Sequence, residues 1–318
     1  EQLNIGLDAR FLNNRLGFAF DWYKKTTKDW LITAPIVATA GTGAPVINGG
    51  DVENSGIEYS VNWNDKVGED FTYNLGLNIT FTKNKLRKTN ELSNIEDYRK
   101  SIGQPTSAIF GWQSQGLFGK DVAIAGHPFQ SFGNYQVGDI AYADLNNDGM
   151  VDNNDQTCIG QSFPKTTLGV DVTLNYKGFG LYILGTATTG VTQMLTSTYY
   201  WNKGLDGYSV LAKERYHPVN NPTGTQPRLT TTSGVNNYRN STFWTKNGSF
   251  FRLKNVELSY TLNNNSKKGI GKNYKFFVRG ANLFVLSGIK ELDPEQMLAG
   301  ISNYPVYRTI TGGVSINF

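Results

Sequence analysis

Apolar and polar residues alternate without interruption from Phe71 to Thr82, in the stretch FTYNLGLNITFT. Every odd position is Phe, Tyr, Leu or Ile, and every even position is Thr, Asn or Gly. A period of two is typical of a β-strand with one apolar and one polar face. Strands of soluble sheets most often have about 5 to 6 residues, whereas a strand that crosses a bilayer needs about 9 to 11. This segment is long enough to cross.

The same alternation recurs elsewhere and predicts an all-β chain with about nine antiparallel strands. The other alternating segments begin near Leu3, Leu16, Ile57, Leu168, Phe179, Phe250, Tyr274 and Val306. Asn13 and Asn14 predict a tight turn between the first two strands. The alternation changes phase near Asn255, which predicts a β-bulge there.

Short and long connections also alternate along the chain. Short turns follow Phe11, Trp63, Tyr176 and Leu262, whereas long loops follow Lys24, Lys85, Gly190 and Leu286. We interpret Lys24 to Asp51 as one of these loops. A short rim opposite a long rim is the layout of a transmembrane antiparallel β-barrel, with short periplasmic turns and long extracellular loops. An adhesin or a soluble β-solenoid is the alternative, but neither explains this alternation of connections.

Composition and charge narrow the class of protein further. The chain has 318 residues, of which 39% are hydrophobic, and a soluble core of that size usually needs about 45 to 50%. The 30 Lys and Arg nearly balance the 26 Asp and Glu, so a nucleic-acid partner is not expected. The single cysteine, Cys158, excludes an internal disulfide, and with two histidines no Cys/His zinc set can form.

Two segments break the alternation for longer than an ordinary connection, which rarely exceeds about 12 to 15 residues. We predict a long extracellular loop over residues 84–164 and a second over 190–248. Loops of this size usually carry function. The first contains a calcium-type motif at 144–155, DLNNDGMVDNND.

The calcium-type motif places oxygen ligands at the spacing of a calcium-binding loop. The predicted ligands are Asp144, Asn146, Asp148, Met150 through its carbonyl, Asp152 and Asp155. Gly149 occupies the sharp turn, and the final Asp resembles the dockerin-type variant of the motif. We expect a structural Ca²⁺ that stiffens the loop. The alternative is a solvated turn that is rich in Asp and Asn.

Aromatic side chains in the two loops are candidates for contact with a substrate or partner. The candidates are Trp112, Tyr199, Tyr200 and Trp201. Flat rings can stack on sugar faces or pack on a partner protein. Each ring can equally serve the packing of its own loop. No nucleophile, Walker or Rossmann motif accompanies them, so we predict neither a catalytic residue nor an enzyme.

Several segments together resemble the C-terminal barrel portion of SusC/RagA-type TonB-dependent outer-membrane transporters of the Bacteroidota. The matching segments are NGGDVENSGIEYSVNW, SIGQPTSAIFGWQSQGLF, GDIAYADLNNDGMVDNNDQTCIGQSFPKTTLGV, FWTKNGSFFRLKNVELSYTL and YPVYRTITGGVSINF. The closing Phe318, in phase with Ile316, is similar to the terminal aromatic that the barrel-assembly machinery reads.

The resemblance implies a barrel of about 22 strands closed around an N-terminal plug, in the outer membrane of a Gram-negative bacterium. It also implies a SusD-like surface lipoprotein as partner and energy from the TonB complex. The plug and the TonB-contacting segment are absent from these residues, so we expect the chain to be the C-terminal part of a larger barrel. TonB would act through the missing N-terminal part.

Two functions are therefore open. The first is TonB-dependent import of oligosaccharides or peptides, with the barrel surrounded by outer-membrane lipid. The second is a surface binding or scaffold barrel that does not transport and whose loop is stabilised by calcium. Lumen-facing Asn, Thr, Tyr and Asp suit both sugars and peptides, so the sequence leaves the substrate class open.

Overall fold

The computed structural model describes residues 1–34, 41–91, 94–204, 207–230, 235–263, 273–296 and 304–317. Within these residues the chain is all-β, with seventeen strands and four short 3-10 helices. None of the helices in this part of the chain is both long enough and apolar enough to cross a membrane. Phe318, which the sequence suggested as an assembly signal, lies outside the described residues.

Nine of the described strands form one large antiparallel sheet, and the others are short strands in its connections. The large sheet contains β1 (Gln2–Phe11), β2 (Leu16–Thr33), β3 (Val46–Val67), β4 (Phe71–Lys88), β11 (Thr166–Tyr176), β12 (Phe179–Thr189), β15 (Phe250–Asn263), β16 (Asn273–Ser287) and β17 (Thr309–Asn317). The short strands are β5 (Ala108–Gly111), β6 (Ser114–Leu117), β7 (Phe129–Gln130), β8 (Ile140–Tyr142), β9 (Met150–Val151), β10 (Thr157–Gln161), β13 (Thr192–Met194) and β14 (Thr245–Asn247). The 3-10 helices are Asp97–Arg99, Asn153–Asp155, Val210–Glu214 and Thr242–Trp244.

The strands of the large sheet follow one another in chain order, from β1 at one edge to β17 at the other. This confirms the predicted nine-stranded antiparallel arrangement. The interpretation of Lys24 to Asp51 as a loop was wrong, because β2 continues to Thr33 and pairs with β3 from Val46 onward. Alternation fades in this extension, where side chains on both faces are exposed or half-buried. Residues 35–40 lie outside the described part of the chain.

The apolar face of the sheet is continuous from strand to strand. Leu77 of β4 pairs with Val61 of β3 and Val170 of β11, so three apolar side chains share one row. Leu77 is 37% exposed and Leu258 of β15 is 56% exposed, so this face is not buried against a second sheet. Polar residues and Gly occupy the opposite face. The alternation therefore places apolar side chains outward, as a barrel in lipid requires.

The predicted bulge near Asn255 is confirmed. In the pairing of β15 with β12, Leu253 and Asn255 lie opposite the consecutive residues Gly185 and Leu184, so Lys254 is the extra residue. The shift keeps Leu253 and Val256 on the same apolar face although their numbers differ in parity.

The hydrophobic core lies in the connections of the sheet. Trp112, Leu117, Ile140, Tyr142, Val151, Met194, Leu195, Tyr200, Tyr216, Trp244 and Ile289 form one buried cluster. These residues come from the connections 89–165, 190–249 and 288–308, the first two of which closely match the predicted long loops. We call the described residues of 89–165, 190–249 and 288–296 the loop domain. The expected irregular loops are thus a folded unit with short strands of its own.

Candidate functional site

Backbone hydrogen bonds join the two long connections into the loop domain. The Trp112 N–H donates to the Asn240 carbonyl at 3.0 Å, and the Trp112 carbonyl accepts from the Thr242 N–H at 3.0 Å. Within the second connection, the Leu195 N–H donates to the Trp244 carbonyl at 2.7 Å. Segments more than a hundred positions apart are therefore held in a fixed relation above the sheet.

A buried polar network reinforces this junction. Asp139 is 1% exposed, and its carboxylate accepts a hydrogen bond from Asn237 Nδ2 at 2.8 Å. The Arg228 guanidinium lies 2.8 Å from the same carboxylate. Gln130 Nε2 donates to Asn236 Oδ1 at 2.6 Å and to the Ile140 carbonyl at 3.1 Å. Sequence reasoning missed this network, since polar residues in a long loop give no sign of being buried.

Tyrosines of the loop-domain core are also buried beside this network. Tyr142 Oη donates to the Asn236 carbonyl at 2.7 Å, and burial raises the pKa of this hydroxyl. Burial likewise raises the pKa of Tyr238 to about 12. Both side chains remain neutral at physiological pH, as donors within a desolvated core.

The four predicted contact aromatics lie in the loop domain, two of them in its core. Trp112 is 7% exposed, its Nε1–H donates to the Asp152 carbonyl at 2.7 Å, and it packs against Phe132. Tyr200 is 3% exposed, and burial raises the pKa of its hydroxyl. Tyr199 and Trp201 are half-buried. The placement of Trp112 and Tyr200 favours the packing role that the sequence left open, while contact with a substrate stays a prediction for all four.

The calcium-type loop is closed by its own hydrogen bonds. Asp144 Oδ2 accepts the Gly149 N–H at 2.9 Å, and Gly149 has a φ of +86°, which glycine adopts readily. The carboxylate of Asp155, which is fully buried, accepts the N–H groups of Leu145 at 2.7 Å and Asp152 at 2.8 Å.

The remaining predicted ligands are more exposed. Asp148 Oδ1 accepts the Met150 N–H at 2.9 Å, and Asn146 Nδ2 donates to Asp148 Oδ2 at 2.9 Å. No group of three or more His, Cys, Asp or Glu side chains is placed to hold a metal among the residues that the structure describes. The sharp turn at Gly149 is as expected, and Ca²⁺ binding stays a prediction.

A groove lies between the polar face of the sheet and the loop domain. We call it the inner-wall groove; it has a volume of about 840 Å³. Tyr23, Asn54 and Asn84 line it from β2, β3 and β4, and residues 103–107, Gln161 and 163–165 line it from the loop domain. Asn84 connects the two sides, because its Oδ1 accepts the Thr106 N–H at 2.6 Å while its Nδ2 donates to Asn54 Oδ1 at 2.6 Å.

Comparison with known proteins agrees with this geometry. The chain is 26% identical to TonB-dependent receptor P3 of Formosa agariphila, over 100% of the chain and 34% of the receptor. It is 28% identical to TonB-dependent receptor SusC of Bacteroides thetaiotaomicron, over 99% of the chain and 31% of SusC. The chain is related to the SusC-type TonB-dependent receptors. It spans about a third of the length of these relatives. No protein-family model matches it.

Solved structures of RagAB share the fold of this chain. A RagAB peptide transporter structure has a TM-score of 0.73 at 20% identity, covering 98% of this chain and 34% of that chain. The RagAB peptide importer in its "open-open" state has a TM-score of 0.75, covering 100% of this chain and 34% of that chain. The nine-stranded sheet of the described residues therefore has the fold of part of a TonB-dependent transporter barrel.

Proposed function

We propose that the chain is part of an outer-membrane β-barrel that imports nutrients in a Gram-negative bacterium. The observation that carries this proposal is the continuous apolar face of the nine-stranded sheet described above, which is exposed opposite a polar face. A soluble protein rarely exposes an apolar patch larger than a few hundred Å². Outer-membrane lipid is the partner that fits this face.

Oligosaccharides or peptides are the proposed cargo, and a SusD-like surface lipoprotein and the TonB complex are the proposed partners. The kinship with TonB-dependent receptors supports energising through TonB, by way of parts of the protein beyond these residues. The RagAB structures are those of a peptide transporter, and the hydroxyl and amide groups of the inner-wall groove suit peptides and sugars alike.

The loop domain is proposed to lie on the extracellular side. Its connections leave the long-loop ends of the strands, whereas the opposite ends are joined by turns as short as Lys177 and Gly178. Tyr199 and Trp201 are proposed to contact a substrate or the lipoprotein, because their rings are half-buried. We also propose a structural Ca²⁺ at 144–155, supported by the ligand spacing and by the turn at Gly149.

The test is uptake by intact cells. Deleting the gene that encodes this chain should abolish uptake of one class of oligosaccharide or peptide, and deleting TonB should do the same. Complementation with the full-length gene should restore uptake in cells that have TonB. Cells that keep normal uptake but lose surface binding would instead support the scaffold function.

A further inference from the structure

The inner-wall groove lies between two facing surfaces, one from the sheet and one from the loop domain. Tyr23, Lys25 and Asn54 line it from β2 and β3, and Phe163 and Lys165 line it from the segment before β11. Lys25, Asn54 and Asn84 pair directly across β2, β3 and β4, so their side chains share the polar face. The groove is therefore a lumen-facing surface with side chains in fixed register.

All charged side chains that line the groove are positive. Its lining contains Lys25, Lys83, Lys85 and Lys165 and no Asp or Glu, although the chain as a whole has 26 acidic residues. An adjoining pocket of about 610 Å³ shares Lys165 with it, adds Lys246 and also lacks an acidic side chain. Lys83 and Lys85 lie on the parity opposite to Asn84, so Lys25 and Lys165 are the groove cations that share the polar face with Asn84.

Several other cations of the large sheet form ion pairs. Lys24 and Arg87 pair with Glu53, and Lys275 and Arg279 pair with Glu257. No carboxylate lies within ion-pair distance of Lys25 or Lys165 among the described residues. Two cations of the groove are thus available to an anionic ligand.

The backbone beside the groove disfavours a peptide bound by strand addition. The part of β4 that extends past its pairing with β11 already has backbone partners. Leu86 N–H donates to the Gln104 carbonyl and Thr82 N–H donates to the Lys165 carbonyl, both at 2.8 Å. An extended peptide gains its affinity from such an edge. The groove instead offers amides, hydroxyls and the ring of Phe163, which is 61% exposed. A flat exposed ring beside amides suits the apolar face and the hydroxyls of a sugar.

We infer that the inner-wall groove binds an acidic oligosaccharide, with carboxylate or sulfate groups at Lys25 and Lys165 and a sugar ring against Phe163. This inference rests on the proposed transport function and specifies its substrate class. Carboxylate and sulfate share the charge that the lysines recognise, and the probes below distinguish them.

The test measures binding to the full-length protein that carries this chain, purified in detergent, by isothermal titration calorimetry. The probes are an oligogalacturonate, a sulfated oligosaccharide, a neutral malto-oligosaccharide and an oligoglutamate peptide of matched length. Lys25→Gln and Lys165→Gln should each weaken binding of the acidic sugar about threefold, and the double variant about tenfold. Lys213→Gln, at an exposed lysine of the loop domain, should leave affinity unchanged. Added salt should weaken binding to the wild type more than to the double variant.

Phe163→Ala separates recognition of a sugar from recognition of charge alone. It should weaken the acidic oligosaccharide about threefold to tenfold and leave oligoglutamate unaffected. Equal affinity for the neutral and acidic sugars, tighter binding of oligoglutamate, or no binding of either acidic sugar would each overturn the inference. Transport is scored separately in cells: uptake of a neutral sugar with no acidic preference leaves the transport proposal intact, whereas binding without uptake contradicts transport and leaves the groove assignment intact.

Discussion

Asn237 donates a hydrogen bond from Nδ2 to Asp139 Oδ1 at 2.8 Å, although the two residues are 98 positions apart in the chain. The bond joins the connection between β4 and β11 to the connection between β12 and β15. Asp139 also accepts the Gln136 N–H at 2.8 Å and pairs with Arg228. One buried carboxylate therefore fixes how the two halves of the loop domain meet.

Asp139→Asn should destabilise the loop domain by about 3 kcal/mol, because it leaves the Arg228 charge without its buried partner. In either orientation, the new side-chain amide also points its NH2 group at a donor that in the wild type faces a carboxylate oxygen. The measurement is protease sensitivity of the loop domain against denaturant. Asp97→Asn is the matched control, because 94% of the Asp97 side chain is exposed in its pair with Lys100 and the change should have little effect on stability. Equal effects of both variants would show that the network is not what holds the halves together.

Gly111→Ala should also weaken the junction between the two halves of the loop domain. A Cβ at Gly111 would clash with the Asn240 carbonyl oxygen, and this atom belongs to the backbone that pairs with Trp112. Overpacking of this kind costs about 1 to 3 kcal/mol. Gly169→Ala is the control, because nothing lies within 4 Å of its Cβ position. Hydrogen exchange of the Trp112 and Thr242 amides should accelerate in Gly111→Ala alone; unchanged exchange would contradict the prediction.

The fold of the sheet was predictable because its signal is local. Strand β4 shows the period of two without any knowledge of its neighbours, and the bulge at Lys254 appears as a change of phase within a single strand. The extension of β2 to Thr33 was not predictable in this way. Its backbone pairs with β3, but water on both faces removes the contrast that makes a strand visible in the sequence.

The candidate site depended on contacts that the sequence does not encode locally. Trp112 and Trp201 could be identified as notable aromatics, but the burial of Trp112 follows from contacts with residues such as Asn240 and Thr242. Asp139 and Asn237 resemble ordinary loop residues until the topology brings them together. The inner-wall groove was equally hidden, because Lys25 and Lys165 become neighbours of one cavity only through the order of the strands.

The loop domain should lose stability as pH rises above about 10, the ordinary pKa of tyrosine. Burial raises the pKa of Tyr142 and of Tyr238 in the folded state, so the unfolded chain releases these protons first. The stabilisation is complete below the unfolded pKa and is lost as pH climbs through the folded values. Thermal unfolding of the loop domain, followed by tryptophan fluorescence between about pH 9 and pH 11, measures this slope.

Tyr142→Phe should reduce the alkaline slope, at a cost of about 1 to 3 kcal/mol at neutral pH, since the Asn236 carbonyl loses its donor. A slope that persists in full without the Tyr142 hydroxyl would refute the assignment of this residue.

Calcium should bind the segment 144–155 and protect it from proteolysis. Asp148→Ala should abolish calcium binding and loosen the loop while the strands stay intact, because it removes a hard oxygen donor from the predicted ligand set. Calorimetric titration with Ca²⁺ and protease digestion with and without a chelator measure both effects. Asp97→Ala provides a control for loss of an acidic side chain nearby. Identical protease sensitivity in calcium and in chelator would count against the metal.

A positive charge should reduce folding when it is placed on one face of β4 and not when it is placed on the other. Leu77 shares a row with Val61 and Val170, whereas its neighbour Asn78 pairs with Ser60 and Gly169 on the polar face. Leu77→Arg places the guanidinium against hydrocarbon, where it costs about 2 to 4 kcal/mol near the bilayer centre, and Asn78→Arg places it in the aqueous lumen. The folded fraction in lipid vesicles, measured by the heat-dependent gel shift of the full-length protein, should fall for Leu77→Arg alone. If Asn78→Arg were the more damaging change, the apolar row would face the interior and the orientation of the whole sheet would be reversed.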